Sequence, residues 1–308
     1  MPANLGLVHS VDLSLPKLPA GLEGLRIAHL TDLHVARPHA RHRRLISRLA
    51  NHRIDLIVLT GDYMNRPGTE SPALTVLKRL FDRVQPRVGA FGVFGNHETD
   101  QFQQEAQALP VRWLNNRAVR LNDLPLEIAG LHSDRAAQPD SIALLTHKAA
   151  TVARAAGAQD SGVRGRDANA DIRNLTPQIT NHKPEVRGAK SAITNQNTHF
   201  LRLLLSHAHD VLPTAADLGF DLVFAGHTHG GQCRLPFGRA VINASDYPLR
   251  LSAGVMRHRN TLCVVSRGLG ENAIPVRLFC PRQVPLCTLR RGPMPGQFTN
   301  AIENIQPW

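Results

Sequence analysis

The sequence predicts an α/β fold, on three observations. Five short, continuous apolar runs each end in a polar cluster, and helix-like stretches separate the early ones. After Gly226 the pattern changes to short strands punctuated by Gly and Pro, as in an antiparallel sheet. Continuous Val/Ile/Leu runs of this length are what strands buried on both faces look like.

In chain order, Arg26–Leu30 runs into Thr31-Asp32-Leu33-His34. A helix is predicted over about 39–52, with Leu45, Ile46 and Leu49 inward and Arg41, Arg44 and Arg48 on another face. Ile54–Leu59 then runs into Thr60-Gly61-Asp62, a second helix is expected at about 71–84, and Val88–Phe94 runs into Gly95-Asn96-His97-Glu98. A third helix is expected at about 99–108, and Ser141–Ala156 reads as a surface helix. Residues 156–197 are polar and lack either period, so they read as an insertion that is disordered or forms a flap. Phe200–Leu205 runs into Ser206-His207, and Phe220–Ala225 into Gly226-His227-Thr228-His229. Strands are expected at 251–256, 261–266, 275–279 and 285–290. The 308 residues thus read as one domain, with its core at about 25–290 and one insertion.

Composition sets the broad class. Hydrophobic residues make up 42%, which excludes disorder as the overall state. No apolar run reaches the roughly 18 residues of a membrane span, and the four cysteines never stand at Cys-x-x-Cys spacing, which argues against a zinc ribbon or a disulfide scaffold. With no charged-then-apolar leader at Met1, a cytoplasmic protein is expected. The net charge is +12, concentrated in two places. Seven arginines and one acid lie between Arg26 and Arg53; ten arginines and three acids lie between Arg234 and Trp308. Such stripes attract phosphates, nucleic acid or anionic lipid headgroups, and peripheral contact of the Arg37–Arg53 face with the inner side of a membrane is one expectation. Aromatics at 5% weigh against base stacking, and so against nucleic acid.

Sixteen histidines are a surplus, and the five strand ends collect several of them. They supply Asp32, His34, Asp62, Asn96, His97, His207, His227 and His229. Carboxylates, imidazoles and an amide oxygen suit borderline-hard divalent cations. In Asp32-x-His34 and His227-x-His229 the i, i+2 spacing directs two side chains to one locus once the backbone turns at a strand end. Eight candidates are too many for one metal. Two metals sharing a bridging carboxylate accommodate such a set, and Asp62, after Gly61, is the natural bridge.

Asp32-x-His34, Gly61-Asp62, Gly95-Asn96-His97-Glu98, His207 and Gly226-His227-x-His229 occur in the order that marks the calcineurin-like metallophosphoesterases, which the chain resembles from about Leu25 to Leu289. Gly226–Gln232 with Arg234-Leu235-Pro236, and Ser266–Gly270 leading into Pro275–Phe279, resemble the bacterial membrane-peripheral phosphodiesterase branch. That branch includes enzymes similar to UDP-2,3-diacylglucosamine pyrophosphatases. The resemblance implies two packed, mixed β-sheets flanked by helices in a four-layer architecture, and two divalent metal ions, Mn, Fe or Zn. It further implies hydrolysis of a phosphodiester or pyrophosphate bond in a phosphorylated small-molecule or lipid-linked substrate by a metal-bridging hydroxide. One metal would be held by Asp32, His34, Asp62 and His229, and the other by Asp62, Asn96, His207 and His227. His97 would face the substrate, and Glu98 would orient His97 or cap the next helix. The alternatives are a non-catalytic metal-binding scaffold, or an enzyme acting on cyclic nucleotides or nucleic acid.

The other histidines read differently. His209 stands where relatives carry His-x-Pro and is expected to be a solvated loop residue. His9, His39, His42, His52, His182, His199 and His258 are expected to be solvated, and His29 to be hydrogen-bonded in the core.

Overall fold

The structure, a computed structural model, describes residues 7–132, 199–236, 239–241, 245–272, 275–297, 299 and 301–308. The helix expected at 141–156 and the insertion expected at 156–197 lie outside the described residues.

The first sheet has six strands in the order β1 (Val8–Leu15), β12 (Val284–Arg291), β2 (Arg26–Leu30), β3 (Leu56–Thr60), β4 (Gly89–Val93) and β5 (Arg112–Trp113). The second has seven, in the order β13 (Glu303–Pro307), β10 (Gly254–His258), β11 (Thr261–Val265), β9 (Leu222–Ala225), β8 (Leu201–Leu205), β7 (Leu126–Gly130) and β6 (Arg117–Arg120). The described α-helices are α1 (Ala40–Ala50), α2 (Glu70–Arg83), α3 (Asp100–Glu105) and α4 (Leu212–Asp217).

The period of two along each strand builds the layers. Ile27, Leu56, Val58, Phe91 and Val93 of the first sheet share one core with Leu126, Ile128, Leu203, Leu205 and Phe224 of the second. The opposite faces are apolar too. Ala28, Leu30, Ile57 and Leu59 pack against Leu45 and Leu49 of α1 and Val76, Leu77 and Leu80 of α2. On the second sheet, Ala129, Leu204, Val223, Ala225 and Val265 pack against Leu212 and Ala215 of α4. The result is four layers, helix, sheet, sheet and helix, and it explains why the strands read as unbroken apolar runs.

Parallel pairing of β2, β3 and β4 in one sheet, and of β7, β8 and β9 in the other, aligns the C-terminal ends where the polar clusters begin.

Several expectations change. Segment 275–279 is not a strand; it makes one bridge, Cys233 to Leu278, because Arg277 is drawn inward to backbone carbonyls. The strand expected at 285–290 forms as β12 but leaves the sheet of β10 and β11, pairing parallel with β1 and antiparallel with β2. β11 pairs antiparallel with β10 but parallel with β9, so the region after Gly226 is mixed. Strands β1, β5, β6, β7 and β13 have no counterpart in the sequence pattern; β5 has two residues, and β6 and β13 are largely uncovered and lack an apolar run.

Candidate metal centre

The loops after β2 and β3 are tied together before any side chain is considered. The N–H groups of Asp32, His34 and Val35 donate to the carbonyls of Gly61, Asp62 and Tyr63 at 2.9, 3.0 and 2.9 Å. Five candidate ligands then adopt left-handed backbone: Asp32 (φ 50°), His34 (41°), Asp62 (56°), His227 (69°) and His229 (52°). Each such non-glycine residue costs about 1 kcal/mol or more, and such strain gathers at functional sites. Both members of each i, i+2 pair turn in this way, which carries their side chains to one locus.

Three clusters result: Asp32, His34 and His229; His34, Asp62 and His97; and Asp62, His207 and His227. His34 and Asp62 are shared. His34 Nε2 lies 3.1 Å from His229 Nε2 and 3.5 Å from Asp62 Oδ2. His207 Nε2 lies 3.2 Å from Asp62 Oδ2 and 3.1 Å from His227 Nδ1. His229 Nε2 lies 3.5 Å from Asp32 Oδ1, and His97 Nε2 lies 3.9 Å from Asp62 Oδ2. Asn96, on the same turn as His97, is exposed.

Glycines make room for the carboxylates. A Cβ on Gly95 would stand 2.2 Å from Asp62 Oδ1, and one on Gly226 would stand 2.3 Å from Asp32 Oδ2.

Hydrogen bonds fix the imidazoles. His207 Nδ1 donates to the Thr60 carbonyl at 2.7 Å, and His97 Nδ1 to the Asn65 carbonyl at 2.7 Å. A carbonyl only accepts, so in both rings Nδ1 carries the proton and Nε2 is left to face Asp62, as in metal-ligating histidines. Burial holds His34 down to about 4 against the pull of Asp62. Burial, with His34 and Arg277, likewise holds His229 at about 4 against Asp32. Both are therefore neutral imidazoles, the form that binds metal. Burial opposes charge on His207, but contact with Asp62 outweighs it and pushes this imidazole up to about 10. Burial also works against the Asp62 carboxylate, yet His207, His34 and His97 hold it well below the usual range. Neutral nitrogens aimed at one another, His34 Nδ1 buried without a partner, and two buried carboxylates form a donor set that suits divalent cations.

Glu98 does neither of the jobs expected of it. Its carboxylate accepts the backbone N–H groups of Gly95, Tyr63, Asp62 and Met64 at 2.6, 2.7, 3.0 and 3.4 Å. It thereby joins the β3 and β4 loops. Thr99 caps α3 instead, accepting from Phe102 N, and Asn65 orients His97. His209 is another correction: it is fully buried, with both ring nitrogens unpartnered and its ring 5.1 Å from that of Tyr247. His42 and His258 are buried as well, and His42 Nδ1 accepts from His39 N at the start of α1. His29 is a core residue, its Nε2 2.8 Å from Thr60 Oγ1. Asn65 and Arg277 join the site without a motif to announce them; the one signal for Arg277 is a charge between Val276 and Leu278 in an apolar run.

The sequence profile of the calcineurin-like phosphoesterases matches residues 25–231. The chain is 25% identical over 294 residues to the UDP-2,3-diacylglucosamine pyrophosphatase LpxG of Chlamydia trachomatis serovar D, covering 87% of this chain and 84% of that protein. It is 22% identical over 255 residues to YkoQ of Bacillus subtilis strain 168, an uncharacterized metallophosphoesterase, covering 82% of this chain and 79% of YkoQ. Among solved structures it is similar to TT1561 of Thermus thermophilus, with TM-score 0.43, 10% identity, and 80% and 90% of the two chains covered. No helix among the described residues is long and apolar enough to cross a membrane. The chain belongs to the calcineurin-like phosphoesterase family, and is a metal-dependent phosphoesterase whose cofactors are two divalent metal ions.

Proposed function

We propose that the chain hydrolyses a phosphodiester or pyrophosphate bond in a phosphorylated, lipid-linked substrate. The observation that supports this reading is the set of three ligand clusters linked through the shared His34 and Asp62. On this reading Asp32, His34, Asp62 and His229 would hold one cation, and Asp62, Asn96, His207 and His227 would hold the other. When bound, two such cations supply charge neutralisation at phosphorus and an activated water. Manganese, iron and zinc all suit the nitrogen and oxygen donors.

The chain's own residues do the rest. Asp62 keeps the two clusters in register. His97, with Nδ1 committed to Asn65, presents Nε2 to the substrate; in its charged form Nε2–H donates to a phosphoryl oxygen or protonates the leaving oxygen. The name of LpxG supports a lipid-linked pyrophosphate as the substrate class. The same reading takes residues 1–308 as one domain, cytoplasmic and peripheral to the inner face of the membrane.

The test is turnover by metal-reconstituted protein of bis-p-nitrophenyl phosphate, UDP-diacylglucosamine, cyclic nucleotides and DNA. UDP-diacylglucosamine should be the best substrate, and Asp62→Asn should abolish metal-dependent turnover. Full activity in that variant would overturn the site, and preference for cyclic nucleotides or DNA would overturn the substrate class.

A further inference from the structure

Beside the metal centre, three short segments form a ribbon with its polarity inverted. Arg234 N donates to Leu278 O at 2.8 Å, Leu278 N to Gln232 O at 3.1 Å, and Leu235 N to Arg239 O at 2.8 Å. Bridges pair Cys233 with Leu278 and Arg234 with Ala240. Alternate residues point opposite ways along these segments. Arg234 and Ala240 are buried and Arg277 is largely covered, whereas Leu235, Val241, Val276 and Leu278 are exposed. The inward arginines hold the metal-site turn: Arg234 Nε donates to Gly230 O at 2.7 Å, and Arg277 Nη1 to His229 O at 3.3 Å. Water is left to the apolar face.

With Leu249 and Phe279, these are the six exposed large hydrophobics among the described residues, each 42–58% exposed. Leu249 lines a cavity of about 420 Å³ with Arg239, Ala240 and Arg250, which connects it to the ribbon. A contiguous apolar patch marks an interaction surface.

Charge selects the occupant. Besides the inward Arg234 and Arg277, residues 233–250 and 275–282 hold three arginines, Arg239, Arg250 and Arg282, and one acid, Asp246. Glu271 pairs with both Arg41 and Arg282, which ties the patch to α1 and its exposed Arg43, Arg44 and Arg48. A symmetric contact between two copies would set one arginine rim against the other. An anionic bilayer meets both requirements, taking the apolar tips below its headgroups and the arginines at them.

The geometry points to this ribbon, with Leu235, Val241, Leu249, Val276, Leu278 and Phe279, as the surface that docks the protein on an anionic lipid bilayer. Docking deepens the reading of a lipid-linked substrate, because the ribbon adjoins the His229–Gly231 turn, but it can fail independently of catalysis.

The experiment is co-sedimentation of the metal-loaded full chain with vesicles of phosphatidylcholine, alone or mixed with phosphatidylglycerol, at low and high salt. Wild type should partition to the mixed vesicles, less so at high salt. The triple variant Leu235→Ser, Leu278→Ser, Phe279→Ser should lose at least about tenfold in partitioning while its turnover of bis-p-nitrophenyl phosphate is unchanged. Arg239→Glu with Arg250→Glu should remove the preference for anionic over neutral vesicles. Absence of wild-type partitioning, or retention of it by the triple variant, overturns the proposal. So does a dimer, seen by light scattering, that the triple variant dissociates. Turnover of the soluble diester separately reports on the catalytic reading.

Discussion

Glu98 holds the backbone of Asp62 rather than its side chain: Oε2 accepts the Asp62 N–H at 3.0 Å, while the same carboxylate takes Tyr63 and Gly95. The loop that carries the shared carboxylate is thus clamped to the loop that carries Asn96 and His97. Glu98→Gln keeps one acceptor oxygen but sets an NH2 group against the backbone N–H groups that the other oxygen accepts, and metal affinity should fall about 10–100-fold. Titration of metal-free protein with Mn²⁺ checks this; unchanged affinity would show the clamp to be dispensable.

His97 is held through Nδ1 by the Asn65 carbonyl and is only partly covered. His97→Asn should lower kcat on the order of 10²–10³-fold, because a donor to the phosphoryl group is lost. Metal content, measured by mass spectrometry, should stay at the wild-type value. A variant that loses both metal and activity would make His97 a ligand.

Gly226 admits the Asp32 carboxylate at a distance no Cβ tolerates. Gly226→Ala should displace Asp32 and cost about 1–3 kcal/mol of stability. It should also lower occupancy at the Asp32 cluster more than at the His207 cluster. Thermal melts with metal analysis test both parts.

Glu127 lies on β7 between Arg120 of β6 and Arg202 of β8, at 2.7 and 2.9 Å. Burial opposes its charge, but these two arginines hold its carboxyl below the usual range. A depressed carboxylate contributes stability above its unfolded pKa, and that contribution is lost as pH falls through the folded value. Glu127→Gln should therefore destabilise by about 1–3 kcal/mol at pH 7, with the difference shrinking below about pH 4.5. Urea melts across that range give the comparison; a constant difference would contradict it.

Much of this is legible in the chain. The runs ending at Asp32, Asp62, Asn96, His207 and His227 are apolar on both faces, so their periodicity is hidden but their length and punctuation are not. Edge strands escape because β6 and β13 bury too little to need an apolar pattern. The clamp made by Glu98 is hidden because its partners are backbone amides, and an amide leaves no signature in sequence. His209 looks solvated because its neighbours are polar in sequence, whereas the fold covers it completely.

By itself the sequence determined the residue types at the strand ends, and with them the chemistry a divalent cation requires. It also determined where β2, β3, β4, β8 and β9 run, since burial of continuous apolar segments is a local demand. Only the tertiary structure decided which nitrogens and oxygens converge on Asp62, which carbonyls set the imidazole protons, and which apolar side chains stay in water. Those depend on loops from two sheets meeting, and on left-handed backbone at single residues, where the folded chain sustains strain that no isolated segment would.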